Sequence, residues 1–223
     1  NIVSRTKNTQ TQMWDNSQIL FSNVSYGGGY LSPDHQTLFL HGQGTQASDI
    51  FRSRYVNSSW GTPELLSAVS TSQPDHYPSF NGKQLYFQTI YDDIWFSDYD
   101  AVTDTFSVSQ PLTAINTSAQ EETPWISSDG LTLVFGSNRE GGYGGWDLWY
   151  STRTDLNQQN WSTPINFGPN VNTASGETLG RIAEEADLLF FARDETLMQA
   201  PVPEPATLLL LGLGGVMLRK RKK

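Results

Sequence analysis

Residues 127–151 read Ser-Ser-Asp-Gly-Leu-Thr-Leu-Val-Phe-Gly-Ser-Asn-Arg-Glu-Gly-Gly-Tyr-Gly-Gly-Trp-Asp-Leu-Trp-Tyr-Ser. A tight turn at Asp129-Gly130 precedes an alternating run, Leu131 to Phe135, and a second apolar-aromatic run follows at Asp147-Leu-Trp-Tyr150. Asp and Gly tolerate the positive φ that a hairpin turn demands, and β-branched and aromatic residues favour strands. Between the runs lies a loop holding Gly141, Gly142, Gly144 and Gly145, too interrupted for a helix. The stretch therefore predicts two adjacent antiparallel strands.

The same unit recurs upstream. Ser32-Pro-Asp-His35 precedes Thr37-Leu-Phe-Leu40 and Asp49-Ile-Phe51, and Ser79-Phe-Asn-Gly82 precedes Gln84-Leu-Tyr-Phe87 and Asp93-Ile-Trp-Phe96. The turn residues Asp34, Asn81 and Asp129 stand 47 and 48 residues apart. Trp-x-x-Pro closes two units, at Trp60 to Pro63 and Trp161 to Pro164, with Phe106 to Pro111 a looser version. A fourth, eroded copy runs from Gly180 through Leu188-Leu-Phe-Phe191 to Leu197. A period of 40–50 residues with about four short strands per unit is the signature of propeller blades. The fold class is therefore all-β, a β-propeller of four-stranded antiparallel blades over residues 1–200, with about four to five blades and the first and last incomplete.

Residues Pro124, Ile126, Ser127, Asp129, Gly130, Leu133, Phe135, Ser137, Arg139, Asp147, Leu148 and Trp149 form a pattern that resembles the WD40-like β-propeller repeat with its Ser-Pro-Asp-Gly hallmark. The resemblance is strongest in the third unit and weaker in the first, where His35 stands in place of Gly. It implies an architectural role for Asp34, Asp49, Asp93, Asp129, Gly130, Asp147 and Trp149, and fold far more than function.

Asn1, not Met, opens the chain, and Ile2-Val-Ser-Arg5 followed by Trp14 mirrors Trp149-Tyr-Ser-Thr-Arg153 followed by Trp161. Either the chain begins inside a longer protein, or its first strands complete the C-terminal blade and remove exposed sheet edges. We expect the first. There are no cysteines, so disulfide and thiolate chemistry are excluded. Residues 1–200 carry nine basic against 22 acidic side chains, a net of −13, and that charge repels phosphate backbones, so no nucleic-acid partner is expected.

The tail has three parts. Residues 201–205 are Pro-Val-Pro-Glu-Pro, which cannot join a strand ladder. Residues 206–218 are thirteen uncharged, mostly apolar residues containing Leu208, Leu209, Leu210 and Leu211, predicted as a short helix. Arg219, Lys220 and Arg221 begin the basic terminus at 219–223. Thirteen helical residues rise about 20 Å against a hydrocarbon core of about 30 Å, a marginal span, and the basic cluster should stay cytoplasmic. In this order, Val202, Pro203, Glu204 and Pro205, the apolar segment and the basic end closely resemble the PEP-CTERM sorting signal. That resemblance implies a partner, the membrane protease exosortase, and an inner-membrane intermediate. It also implies a mature protein at the cell surface or in the extracellular matrix of a Gram-negative bacterium. The alternative is an ordinary C-terminal anchor, which exports the body as well.

Asp49, Asp93 and Asp147 recur before the third strand of each unit, either lining a channel for a cation or accepting hydrogen bonds from the neighbouring turn. Repetition in every blade favours the second. Asp92-Asp93, Glu121-Glu122 and Glu184-Glu185 point to opposite faces of a strand, so none is a catalytic dyad, and they read as solvated loop charges. His35, His41 and His76 lack zinc-ligand spacing, so no metal and no cofactor are expected. Tyr143 and Trp146 are candidate sugar-stacking residues on the Gly-rich loop. The chain reads as a non-catalytic binding or scaffold module for a protein or polysaccharide ligand. The alternative is a propeller glycoside hydrolase or lyase acting on extracellular polysaccharide.

Overall fold

The structure, a computed structural model, describes residues 2–4, 18–21, 26–44, 47–90 and 93–202. Four antiparallel sheets are arranged as a four-blade β-propeller. Blade I contains β3 (Tyr26–Leu31), β4 (Thr37–Gln43), β5 (Ser48–Val56), β6 (Ser59–Trp60) and β7 (Glu64–Leu65). Blade II contains β8 (Asp75–Phe80), β9 (Gln84–Thr89), β10 (Ile94–Asp100), β11 (Thr105–Phe106) and β12 (Gln110–Pro111). Blade III contains β13 (Glu121–Ile126), β14 (Thr132–Ser137), β15 (Asp147–Thr152) and β16 (Ile165–Asn166). Blade IV has three strands, β17 (Glu177–Ala183), β18 (Leu188–Arg193) and β19 (Thr196–Pro201). The first strands of successive blades, β3, β8, β13 and β17, lie side by side.

Within a blade, short polar side chains fix the first turn. Ser127 Oγ donates to Asp129 Oδ1 at 2.6 Å, and Asp129 Oδ1 accepts from the Leu131 amide at 2.9 Å. Ser32, Asp34 and the Gln36 amide repeat this geometry, while Asn81 alone serves blade II by accepting from the Lys83 and Gln84 amides. The core lies between blades. Phe39, Ile50 and Val69 of blade I meet Phe80 and Phe87 of blade II. Tyr86, Ile94 and Ile115 of blade II meet Ile126, Phe135 and Trp161 of blade III, and Tyr150 and Phe167 meet Leu189 and Phe191 of blade IV. Strands β9 and β14 are buried at all six positions, because each sits mid-blade with a neighbour on both faces. The unbroken run Leu85-Tyr-Phe87 follows from this, and Thr132 tolerates a place in the same interior.

Every first strand also carries a bulge, with a register shift at Gly27/Gly29, His76/Ser79, Glu122/Trp125 and Thr178/Arg181. The residue at its centre is left-handed each time: Gly28 (φ 37), Tyr77 (φ 52), Thr123 (φ 48) and Leu179 (φ 57). Three of the four pay a steric cost for a Cβ in that region. The bulge turns one amide toward the preceding blade, where a side chain receives it. Tyr77 N–H donates to His41 Nδ1 at 3.3 Å, Thr123 N–H to Gln88 Oε1 at 2.6 Å, and Leu179 N–H to Thr123 Oγ1 at 3.2 Å. His41 and Gln88 hold equivalent places, each two strands from its blade's outer edge. Blade III has Gly136 there, so Thr123 takes over the acceptor role.

Strands β1 (Ile2–Ser4) and β2 (Gln18–Phe21) pair with each other as a separate two-stranded sheet, and β19 pairs only with β18 among the described residues. Among the described residues neither β1 nor β2 pairs with blade IV. The chain segment at 155–160 forms turns held by the Asp155 carboxylate. The expected helix at 206–218 lies outside the described residues.

Candidate functional site

The carboxylates with the deepest burial are ones that the hairpin motif does not mark. Asp75, Glu121 and Glu177 open the first strands of blades II, III and IV, and all three are 0% exposed. Each is received by a threonine four residues earlier. Thr117 donates its amide to Glu121 Oε2 and its hydroxyl to Oε1, both at 2.8 Å; Thr173 does the same to Glu177 at 2.9 and 2.7 Å. Thr71 gives Asp75 its amide at 2.7 Å and its hydroxyl at 2.8 Å. The residue before the threonine ties the linker to the preceding blade: Asn116 bonds both backbone groups of Ile94, Asn172 both of Leu148, and Ser70 the amide of Ile50. The sequence carries the signal, Ser/Asn-Thr-x-x-x-Asp/Glu at 70–75, 116–121 and 172–177, in the linkers rather than the hairpins.

Buried anions need a counter-charge. Arg139 supplies it to Glu121 at 3.0 Å and Arg193 to Glu177 at 2.7 Å, and each guanidinium also caps a linker carbonyl, Ile115 or Val171. Glu121 is thus a buried, paired group, and not the solvated loop charge its neighbour Glu122 suggested. Among the described residues no guanidinium reaches Asp75. Burial pushes its pKa up to about 6, the two Thr71 hydrogen bonds oppose the rise, and the Asp49 charge adds to it. Nearby, the His41 and His76 rings stand 4.8 Å apart, and burial together with the His76 charge takes His41 down to about 4. Neutral His41 is what the Tyr77 amide requires of Nδ1.

The structure places the remaining expected residues as follows. Asp34 and Asp129 organise their turns, and Gly130 (φ 72) leaves room where a Cβ would meet Asn81 Nδ2 at 2.3 Å and Leu156 Cδ2 at 2.5 Å. Asp147 folds the Gly-rich loop by accepting from the Tyr143 and Gly144 amides and from Asn166 Nδ2. Asp49 is buried against Gly44, and Asp93 is half-buried beside Thr89, whose amide bonds its carbonyl at 3.0 Å. Trp149 is buried with Arg139 5.4 Å over its ring. Tyr143 is 50% exposed and Trp146 half-buried, so the loop presents one free aromatic face. Among the described residues no group of three or more His, Cys, Asp or Glu is placed to hold a metal. Val202 packs in the core between blades III and IV, and its amide bonds Asp187. Pro203, Glu204, Pro205, Leu208 to Leu211 and Arg219 to Arg221 lie outside the described residues.

The seam between blades I and II holds a cavity of about 330 Å³. Phe39, Phe80, Tyr99 and Phe106 line it, and Arg52 and Arg54 lie at its rim. The rings pack edge-on and tilted at 4.9–6.1 Å between centroids. Asp104 crosses from blade II, and its Oδ1 takes donors from Arg52 Nη1 (3.0 Å), Arg54 Nη2 and Tyr99 Oη (2.7 Å). Desolvation opposes ionisation, but the Tyr99 hydroxyl and the two guanidinium groups win and hold Asp104 below the ordinary carboxylate range.

Solved structures share the propeller architecture. A putative TolB from Agrobacterium tumefaciens is 22% identical, with a TM-score of 0.54 over 74% of this chain and 53% of that one. The nidogen/laminin complex gives 9%, 0.61, 89% and 72%, and a mutant NanB sialidase from Streptococcus pneumoniae 13%, 0.55, 90% and 34%. The chain spans about half the length of the TolB structures it matches. These likenesses show the fold alone. No curated protein shows significant similarity to the chain. Residues 201–222 match the PEP-CTERM protein-sorting motif, so the chain carries the mark of proteins exported by the membrane-anchored exosortase route to the cell surface of Gram-negative bacteria.

Proposed function

We propose that the chain is a non-catalytic binding or scaffold propeller, released or transferred by exosortase and presented at the cell surface or in the extracellular matrix. The observation that carries this reading is the joint presence of the sorting motif at 201–222 and a body whose deepest carboxylates are engaged in blade-to-blade joints. The common glycoside hydrolase centre sets two accessible carboxyl groups across one bond. Here Glu121 and Glu177 are neutralised by arginines and closed to solvent.

The alternative, a glycoside hydrolase or lyase, has one specific support. Burial, with the Asp49 charge adding to it, pushes Asp75 up to about 6, where a general acid works. Both are buried, which weighs against access by a glycan.

Two measurements test the proposal. Because Val202 belongs to the core, the informative truncation ends at Val202. In a host with exosortase, the full chain is expected in the surface fraction and the truncated chain elsewhere. Equal distribution would remove the sorting role. Release of reducing ends from an exopolysaccharide by the purified chain, lost in Asp75→Asn, would replace the binding reading with the enzyme.

A further inference from the structure

We propose that the seam between blades I and II is a binding site for a pyranose bearing a single carboxylate, such as a uronic acid at a glycan terminus, and that Asp104 occupies the carboxylate position in its absence. The inference deepens the binding-module reading and rests on it.

Three observations converge. First, one oxygen of Asp104 is surrounded by two guanidinium groups and a phenol, a constellation suited to an anionic oxygen at the edge of a cavity. Second, the anion now there is carried by an exposed turn. Residues 101–105 are exposed, Val102 is 94% exposed, and Asp104 is left-handed at φ 57. The turn is held to itself by Asp100, which accepts from the Val102 amide and the Thr103 hydroxyl, so it can leave as a unit. Third, the first seam differs from the next in what lines it. Tyr99 and Arg153 hold equivalent places, their amides bonded to Lys83 and Leu131 carbonyls. In the seam between blades II and III, Arg153 fills that place, 3% exposed, 4.5 Å over Trp161, and fixed to Gly130, Gln158 and Gln84. In the first seam Tyr99 stands there with its hydroxyl on Asp104, beside a volume at the lower end of those that hold small ligands; the seam between blades II and III has a larger volume of about 550 Å³, but no arginine among the described residues lines it.

The lining selects the body of the ligand. An aromatic floor of Phe39, Phe80 and Phe106 suits the C–H face of a pyranose, and Asp34, Gln36 and Thr37 offer polar atoms to its hydroxyls. Replacing the Asp104 carboxylate by that of the sugar keeps Arg52 and Arg54 neutralised, and Glu64 continues to hold Arg52 Nε. The net charge of −13 on the body disfavours a polyanion, and for that reason a single terminal uronate is the expected form.

The test titrates the full chain with methyl glucuronoside, methyl glucoside and acetate by ligand-observed nuclear magnetic resonance. The glucuronoside should bind at least about tenfold tighter than either control, since each control lacks one half of the recognition. Asp104→Ala removes the internal competitor and should tighten binding about tenfold, and Asp104→Asn should do so in the same direction. Arg54→Gln should weaken binding at least about tenfold. Thermal midpoints confirm that each variant is folded. Weaker or unchanged binding in both Asp104 variants, or unchanged binding in Arg54→Gln, would overturn the site while leaving a binding module that uses another surface. Equal affinity for acetate would reduce it to an anion site and overturn the sugar.

Discussion

Asp75→Asn should make the protein more stable at neutral pH and leave it unchanged in acid. Glu121 and Glu177 each have an arginine, but among the described residues Asp75 is received by Thr71 alone, and burial wins over those two hydrogen bonds. The folded-state pKa of about 6 lies above the ordinary 3.8, so the folded state holds a proton that the unfolded state releases. The penalty is absent below about pH 4, grows as pH rises through 6, and is complete by pH 7. At about 1.4 kcal/mol per pH unit the upper limit is roughly 3 kcal/mol, and local relaxation reduces it to an expected 1–3 kcal/mol. Asparagine keeps an oxygen for the Thr71 amide and loses the charge. For a domain of this size that corresponds to a rise of roughly 3–10 °C in Tm at pH 7. The assay is thermal unfolding of parent and variant at pH 4, 5, 6 and 7, and the quantity of interest is their difference. The parent curve alone would mislead, because His41 acts in the opposite direction. Its pKa is depressed from 6.5 to about 4, so its contribution is lost as pH falls through that window. An Asp75→Asn protein no more stable than the parent at pH 7, or a gain that persists at pH 4, would refute the reasoning.

Glu121→Gln should behave oppositely at the equivalent joint, losing about 3–5 kcal/mol because it leaves Arg139 buried without its anion; denaturant unfolding at pH 7 measures the loss. Gly180→Ala should cost about 1–3 kcal/mol through overpacking, since a Cβ there would lie 2.9 Å from Val134 and 3.0 Å from Leu148; the same unfolding curve checks it.

Much of the architecture was legible because hairpin chemistry is local. Ser127, Asp129 and Gly130 act within five residues of one another, so their pattern survives in sequence and repeats with the blade. The linker code Ser/Asn-Thr-x-x-x-Asp/Glu is equally local, yet it falls between hairpins and reads as loop polarity unless the three linkers are aligned. What could not be read is the partnership. Arg139 reaches Glu121 from two residues beyond β14, whereas Arg193 reaches Glu177 from the last position of β18, so the same joint is made from different registers. The bulges are still less visible. Tyr77, Thr123 and Leu179 share no residue type, and their left-handed φ is imposed by the amide each must offer to the neighbouring blade.

These joints differ from seam to seam in a way that bears on function. Between blades II and III the chain combines a paired carboxylate, an amide-to-glutamine latch and a buried arginine plug. Between blades I and II the joint differs: among the described residues Asp75 has no arginine, the latch is to a histidine at 3.3 Å, and a half-exposed aspartate, Asp104, carries the cross-blade ion pairs beside an aromatic-floored cavity. A ligand that took the place of Asp104 on Arg52 and Arg54 would bind only the folded seam and so stabilise it by mass action. Binding there should therefore raise the unfolding temperature of the parent more than that of Arg54→Gln, which retains every other contact of the seam.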